Sequence, residues 1–264
     1  MELEQNLPEI RKRGLCLAAI SYDSPAVLKN FADRKNISFP LLSDTDSKII
    51  RAYGILNESA PKGAFYGIPY PGTYILDTHG VVVEKYFEED YTQRYTASAI
   101  LAKEFGAAVG AAHSTTAAKH LRLSASAGTE VVHIGQRIVL ALDIDLPKGV
   151  HVYAPGVQGY IPIDLAITES SAIAAHPAVY PPSQTLLMKA IHETVPVYAG
   201  QFRVLREITI AKGVPPGELT VEGKFRYQAC DDRECFIPET VPLKWVLHVE
   251  ALDRQRVPSD IQRK

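Results

Sequence analysis

The first part of the chain alternates short apolar runs with segments of helical period. Continuous apolar runs are typical of strands covered on both faces, and apolar residues three or four positions apart are typical of amphipathic helices. The sequence therefore predicts an α/β layer fold over residues 1–105. The predicted elements, in order, are a strand at 15–20, a helix starting at Ser24 and Pro25, a strand at 39–42, a helix with a capping box from Ser43, a hairpin at 73–87 and a helix at 92–105.

Beyond residue 120, apolar positions recur at every second residue. This period, with Pro/Gly-rich turns between the segments and no good helical pattern, predicts an antiparallel all-β sandwich over residues 120–252, followed by a polar tail at 253–264. The clearest predicted strands lie at 137–146, 202–210, 219–227 and 241–249.

Residues 106–119 contain mostly small side chains and no aromatic residue. Such a composition predicts a linker between the two domains. A poorly packed continuation of the preceding helix is the alternative.

Composition excludes several classes of protein. The 28 Lys and Arg residues nearly balance the 30 Asp and Glu residues, which argues against a nucleic-acid partner. No apolar run approaches the roughly 18 residues of a membrane-spanning helix, and the acidic amino terminus does not resemble a signal peptide. There is no HExxH, P-loop or GxGxxG motif and no clustering of the eight histidines, so the residues predict no metal and no cofactor.

Cys230 and Cys235 lie between the two clearest strands, so a hairpin there would bring their thiols within reach of each other. A stabilising cross-link, part of a metal site and a redox pair are all compatible with these residues. A zinc site needs four ligands, however, and only His248 follows the pair. Two thiols at the end of a hairpin, in a chain with three cysteines, favour exchange with the thiols of another protein.

The residues around this pair, 227–230 and 235–243, resemble the amino-terminal periplasmic domain of the thiol–disulfide interchange protein DsbD, and 148–153 are similar to an earlier strand of that domain. The resemblance implies an immunoglobulin-like fold whose cysteine pair relays electrons between a membrane reductant and periplasmic partners. It also implies a loop that shields the disulfide, here at 193–200, with Tyr198 as the shielding side chain. The C-x4-C spacing is one residue shorter than in the best-known members.

In the first domain, residues 19–25, 39–44 and 67–77 resemble the redoxin group, the peroxiredoxin and alkyl hydroperoxide reductase branch of the thioredoxin-like fold. The resemblance implies a proline beside the active site, and Pro71 is the candidate for a cis peptide bond, an ordinary trans turn being the alternative. It also implies a helix at 2–13 whose start would carry the reactive cysteine. No cysteine lies there, and the first strand of the fold is absent as well.

Cys16 does not replace the missing nucleophile. It lies within an apolar run, so we expect a buried side chain with a packing role. Two hypotheses explain the missing cysteine. The chain starts inside a longer protein, which we favour because loss of a central strand harms folding as well as chemistry, or the domain is a degenerate redoxin retained for binding.

The sequence thus predicts an incomplete α/β thioredoxin-like domain followed by an all-β immunoglobulin-like sandwich. The expected function is disulfide exchange through Cys230 and Cys235 with thiol- or disulfide-bearing partner proteins, without nucleic acid and without membrane insertion by this chain. The alternative is a non-catalytic binding module with a structural disulfide. The DsbD resemblance suggests a periplasmic or extracytoplasmic location, although the chain shows no signal peptide.

Overall fold

The computed structural model describes residues 2–60, 66–88, 90, 92–107, 110, 112–188 and 193–262. It divides into two compact units. The α/β unit comprises Met1–Ala97 and Leu252–Lys264, and the β unit comprises Ser98–Ala251. None of the helices in these described stretches is long and apolar enough to cross a membrane.

The α/β unit contains a parallel strand pair and an antiparallel hairpin. Its elements are α1 (Glu2–Lys12), β1 (Ala19–Ser21), α2 (Pro25–Lys35), β2 (Leu41–Ser43), α3 (Lys48–Ala52), β3 (Gly72–Leu76), β4 (Val82–Phe87) and β5 (Arg94–Tyr95). β1 pairs with β2, and β3 pairs with β4. The predicted cap of α2 is confirmed, since the Ser24 hydroxyl accepts the N–H of Val27 and Pro25 begins the helix.

The helix predicted from Ser43 begins later, at Lys48. Asp44 follows β2 and begins the turn that precedes α3, and its carboxylate accepts the N–H of Lys48 at 3.0 Å and that of Ile50 at 2.8 Å. Burial opposes ionisation of this carboxyl, but the N–H groups of Ile50, Ile49 and Lys48 together lower the pKa of Asp44. Asp44 therefore accepts hydrogen bonds from backbone N–H groups at the start of α3, although it lies four residues before the helix begins.

Two predictions for this unit are wrong. Cys16 is exposed and lies before β1, which begins only at Ala19. The apolar run at 15–20 is short, and such runs do not by themselves fix where strand pairing begins. The described residues contain no cis peptide bond, so the Tyr70–Pro71 bond is trans and the turn is an ordinary one.

The β unit begins with α4 (Ala97–Phe105) and contains three sheets. Its strands are β6 (Ala112–Ala117), β7 (Arg122–Ala127), β8 (Val131–Val132), β9 (Gln136–Asp145), β10 (His151–Tyr153), β11 (Asp164–Ile167), β12 (Ile173–Val179), β13 (Gln184–Met188), β14 (Glu193–Ala199), β15 (Gln201–Ile210), β16 (Gly217–Tyr227), β17 (Ala229–Cys230) and β18 (Glu239–Val249). Within the unit, the strand orders are β12-β15-β9-β7-β6, β11-β16-β18-β8 and β13-β14-β10-β17. The largely β character predicted for this part of the chain is confirmed.

The main core of the β unit is formed by the inward residues of the long strands. Trp245 on β18 and Phe225 on β16 are fully buried, and the Trp245 indole N–H donates to the Ser126 carbonyl at 3.0 Å. Alternate residues of β16 and β18 are exposed. The period of two in the sequence therefore corresponds to one buried and one solvated face.

The predicted domain boundaries need correction at both ends. Residues 112–117 of the predicted linker form β6, which pairs with β7 at the edge of its sheet. An edge strand needs no continuous apolar face, so its Ser- and Thr-containing sequence gave no period to detect. The tail predicted at 253–264 groups with the α/β unit, where Asp253 forms an ion pair of 2.7 Å with Lys35.

Candidate functional site

Cys230 and Cys235 are joined by a disulfide at the end of β17, with their Cα atoms 4.0 Å apart. The connecting loop is organised by Asp231, whose carboxylate accepts the N–H groups of Arg233 at 2.8 Å and Glu234 at 2.9 Å. These N–H groups, with Glu234 contributing most, lower the pKa of Asp231. The loop is thus folded by its own backbone hydrogen bonds around an ionised carboxylate.

The two sulfur-bearing residues differ in exposure. Cys230 is 1% exposed and packs with Val195 and Val197 of β14, whereas Cys235 is exposed. The surface around Cys235 carries the exposed side chains of Asp232 and Glu234. Cys235 is therefore open to solvent, whereas Cys230 is enclosed.

Strand β10 positions two aromatic side chains on the face that carries Cys230. Successive strand residues point to opposite faces, and Val152 packs into the main core while Tyr153 packs with Cys230. His151 lies on the same side as Tyr153, and their rings meet edge to face at 5.6 Å. His151 is also the direct cross-strand partner of Cys230.

Tyr153 contacts the disulfide directly. Its hydroxyl lies 3.5 Å from Cys235 Sγ and donates to it, because a disulfide sulfur carries no proton. Burial raises the pKa of Tyr153, and the neighbouring Tyr160 adds to this effect. The Tyr160 ring stacks on that of Tyr153 at 4.4 Å, and its own hydroxyl donates to Glu193 at 3.0 Å. Tyr153 is therefore a proton-bearing donor held against the exposed sulfur.

Tyr198, expected to shield the disulfide, lies elsewhere. It is paired with Val152 across β14 and β10 and packs into the main core on the opposite face of the sheet from Cys230. Its hydroxyl donates to the Pro181 carbonyl at 2.7 Å. The segment predicted as a cap loop forms strand β14, whose Val195 and Val197 pack with Cys230. On the β10 side, Tyr153 contacts Cys235 and His151 pairs with Cys230.

The sequence of residues 148–153 carries a family resemblance but predicted no site residue there. The alternation of His151, Val152 and Tyr153 could have indicated these residues. In such a strand, His151 and Tyr153 lie on the face opposite Val152 and therefore do not pack into the main core. Pro71 and Cys16 belong to the α/β unit. In the stretches that the structure describes, no three His, Cys, Asp or Glu side chains gather as metal ligands.

The two parts of the chain match different protein families. Residues 1–85 match the AhpC/TSA family, and residues 123–244, which include both cysteines of the disulfide, match the N-terminal domain of the thiol:disulfide interchange protein DsbD. Both family resemblances inferred from the sequence are thereby confirmed.

Individual relatives agree with the first of these matches. The chain is 29% identical over 93 residues to peroxiredoxin Bcp of Escherichia coli K12, covering 35% of this chain and 59% of the relative. It is 34% identical over 83 residues to alkyl hydroperoxide reductase E of Mycobacterium tuberculosis, covering 31% and 50%. The chain thus spans less than two thirds of the length of either curated relative.

Two solved structures show limited similarity to this chain. The N-terminal periplasmic domain of ScsB from Proteus mirabilis aligns with a TM-score of 0.35 at 13% identity, over 51% of this chain and 49% of that one. The reduced N-terminal domain of DsbD from Neisseria meningitidis aligns with a TM-score of 0.29 at 12% identity, over 41% and 77%.

Proposed function

We propose that this protein is a thiol–disulfide oxidoreductase whose Cys230–Cys235 disulfide accepts electrons from the thiols of a partner protein, within an immunoglobulin-like domain. The observation that carries the proposal is the unequal exposure of the two cysteines, one open to a partner and one enclosed. The match of residues 123–244 to the DsbD N-terminal family supports the same chemistry. A purely structural cross-link has no need of an exposed sulfur beside a hydroxyl donor.

The exchange proceeds in two displacements. A partner thiolate attacks Cys235 Sγ, a mixed disulfide forms, and Cys230 leaves as a thiolate that takes up a proton. A second thiol of the partner, as its thiolate, then attacks the partner's sulfur in the mixed disulfide and releases Cys235, which is protonated in turn. Two electrons and two protons have then passed from the partner to this chain.

The similarity of residues 1–85 to the AhpC/TSA family suggests where the electrons go. We infer that the reduced pair passes them to a peroxiredoxin-type site or to a substrate disulfide, with the α/β unit contributing to that step. Residues 1–13 contain no cysteine, so this sequence does not supply a peroxide-reducing nucleophile at the place that the resemblance implies.

The reduction potential of the pair tests the proposal. Equilibration of the full chain with glutathione buffers, in a Cys16→Ser background that removes the exposed free thiol, should give a potential above about −300 mV. A lower value, in the range of structural bridges, would instead support the non-catalytic binding module.

Single variants test the direction of attack. In the same background, Cys230→Ser leaves the exposed Cys235 and should form a mixed disulfide with oxidised glutathione readily. Cys235→Ser is the matched control, because it leaves the buried Cys230 and should react at least about tenfold more slowly. Equal rates would contradict attack at Cys235.

A further inference from the structure

His151 is a buried histidine that lies directly opposite one sulfur of the disulfide. It is 7% exposed, and it pairs with Cys230 across the antiparallel β10–β17 ladder. Side chains of directly opposed residues share a face, with Cβ atoms about 4.5–5.5 Å apart. The side chains of His151 and Cys230 are therefore neighbours on one face of this ladder.

The imidazole also has an unused polar atom. Among the described residues, His151 Nε2 is buried and has no hydrogen-bond partner. A buried nitrogen without a partner loses its hydration without compensation, and such a group calls for a functional or structural reason. A thiol or thiolate that exists only after the disulfide opens would supply a partner in the reduced protein.

The other groups facing this position cannot exchange a proton as readily. Asp231 and Asp232 lie close enough to act on the imidazole by charge, and the pKa of Asp231 is lowered, so its carboxylate holds no proton near neutral pH. Tyr153 retains its proton because burial raises its pKa. Burial lowers the pKa of His151 itself, partly offset by Asp232 and Asp231, so the imidazole is neutral near neutral pH and able to accept a proton.

We propose that His151 is the acid–base partner of Cys230 in disulfide exchange, an inference that rests on the function proposed above. When the disulfide reforms from the mixed disulfide, Nε2 takes the proton of the Cys230 thiol as that sulfur attacks Cys235. The Cys230–Cys235 bond forms, the partner's sulfur leaves as a thiolate, and the imidazolium releases its proton to solvent. In the reducing direction, the imidazole takes up a proton from solvent, and the resulting imidazolium gives it to Cys230 as that sulfur leaves.

The mixed disulfide closes to the Cys230–Cys235 disulfide when Cys230 attacks Cys235. The rate of this closure, measured on its own, tests the assignment. The mixed disulfide between Cys235 and glutathione is formed in the Cys16→Ser protein, and release of glutathione is followed across pH. Loss of a general base in His151→Gln should slow closure by at least about tenfold near neutral pH. The deficit should shrink as the pH rises through the pKa of the Cys230 thiol, because above that pH the thiol ionises unaided.

The matched control is His248→Gln, which replaces an exposed histidine on β18 of the same unit. It should close at the wild-type rate at every pH. A purely structural role for His151 would predict a deficit independent of pH, and that result would overturn the proposal.

A second test uses the protein with His151 unchanged, so its outcome does not depend on whether the His151→Gln variant folds. Imidazole resonances followed by NMR should show His151, identified by its contacts with the Tyr153 ring, titrating at lower pH than an exposed histidine in the disulfide form. Titration in the ordinary range would contradict the proposal. If the wild-type pair does not exchange with glutathione at all, the proposed function fails; if it exchanges while His151→Gln keeps the wild-type pH profile, only the role of His151 fails.

Discussion

Replacing Tyr153 by Phe removes one hydroxyl from the site and leaves the ring in place. That hydroxyl is 3.5 Å from Cys235 Sγ, within an enclosed cluster that includes Cys230. After reduction it can donate to the Cys235 thiolate. The substitution therefore changes the stability of the thiolate relative to the thiol without opening a large cavity.

The size of the effect follows from the nature of the hydrogen bond. A bond to a charged acceptor contributes about 1.5–3 kcal/mol. The lower end applies here, because sulfur is a weak acceptor and Cys235 is exposed to competing water. A loss of about 1.4 kcal/mol corresponds to about a tenfold fall in the thiolate population at a given pH.

The assay is alkylation of Cys235 by iodoacetamide in the reduced Cys16→Ser protein, quantified by peptide mapping. Tyr153→Phe should react about tenfold more slowly near neutral pH. Tyr160→Phe is the matched control, because the Tyr160 hydroxyl donates to Glu193, and it should react at the unmodified rate. If both variants behave alike, or if Tyr153→Phe is unchanged, the hydroxyl does not stabilise the thiolate.

Two further predictions concern stability, measured by urea unfolding. Gly223→Ala should destabilise the β unit by about 1–3 kcal/mol, because a Cβ there would lie 2.7 Å from the Ala166 carbonyl oxygen; Gly213→Ala, where nothing lies within 4 Å, is its control, and equal midpoints would refute the steric argument. Asp44→Ala should destabilise the α/β unit by about 1 kcal/mol at neutral pH. Since the pKa of Asp44 is lowered on folding, this contribution is complete above about pH 4 and is lost as the pH falls further. The gap between wild type and Asp44→Ala should close in acid, and a gap that stays constant down to about pH 2 would contradict the role of its carboxylate.

The long strands of the β unit could be located from sequence, because each buries alternate residues against one core. Predicted strands at 137–146 and 202–210 correspond to Gln136–Asp145 and Gln201–Ile210. Elements with little burial were not predictable in this way. β6 lies at a sheet edge, where pairing comes from backbone hydrogen bonds that leave no period in the side chains.

The cysteine pair was identifiable from sequence, whereas most of its surroundings were not. Tyr198 was predicted to shield the disulfide from its position in the family resemblance. The register of β14 against β10 instead places it on the opposite face of the sheet from Cys230. The partners of the disulfide, His151 and Tyr153, come from a strand about eighty residues earlier in the chain. Contacts of such separation depend on strand pairing, which the alternation of a three-residue strand is too short to specify.

The difference between the two sulfurs is itself a consequence of strand pairing. On β16 the residues at even positions, including Lys224 and Arg226, point to solvent. Cys230 continues that series, yet it is buried, because β17 leaves this sheet and pairs with β10, where Tyr153 and its neighbours cover the same side. Cys235 has only an isolated bridge to Cys230 and stays exposed. One change of strand partner therefore encloses Cys230, leaves Cys235 exposed and places His151 opposite Cys230, which is the arrangement that the proposed exchange requires.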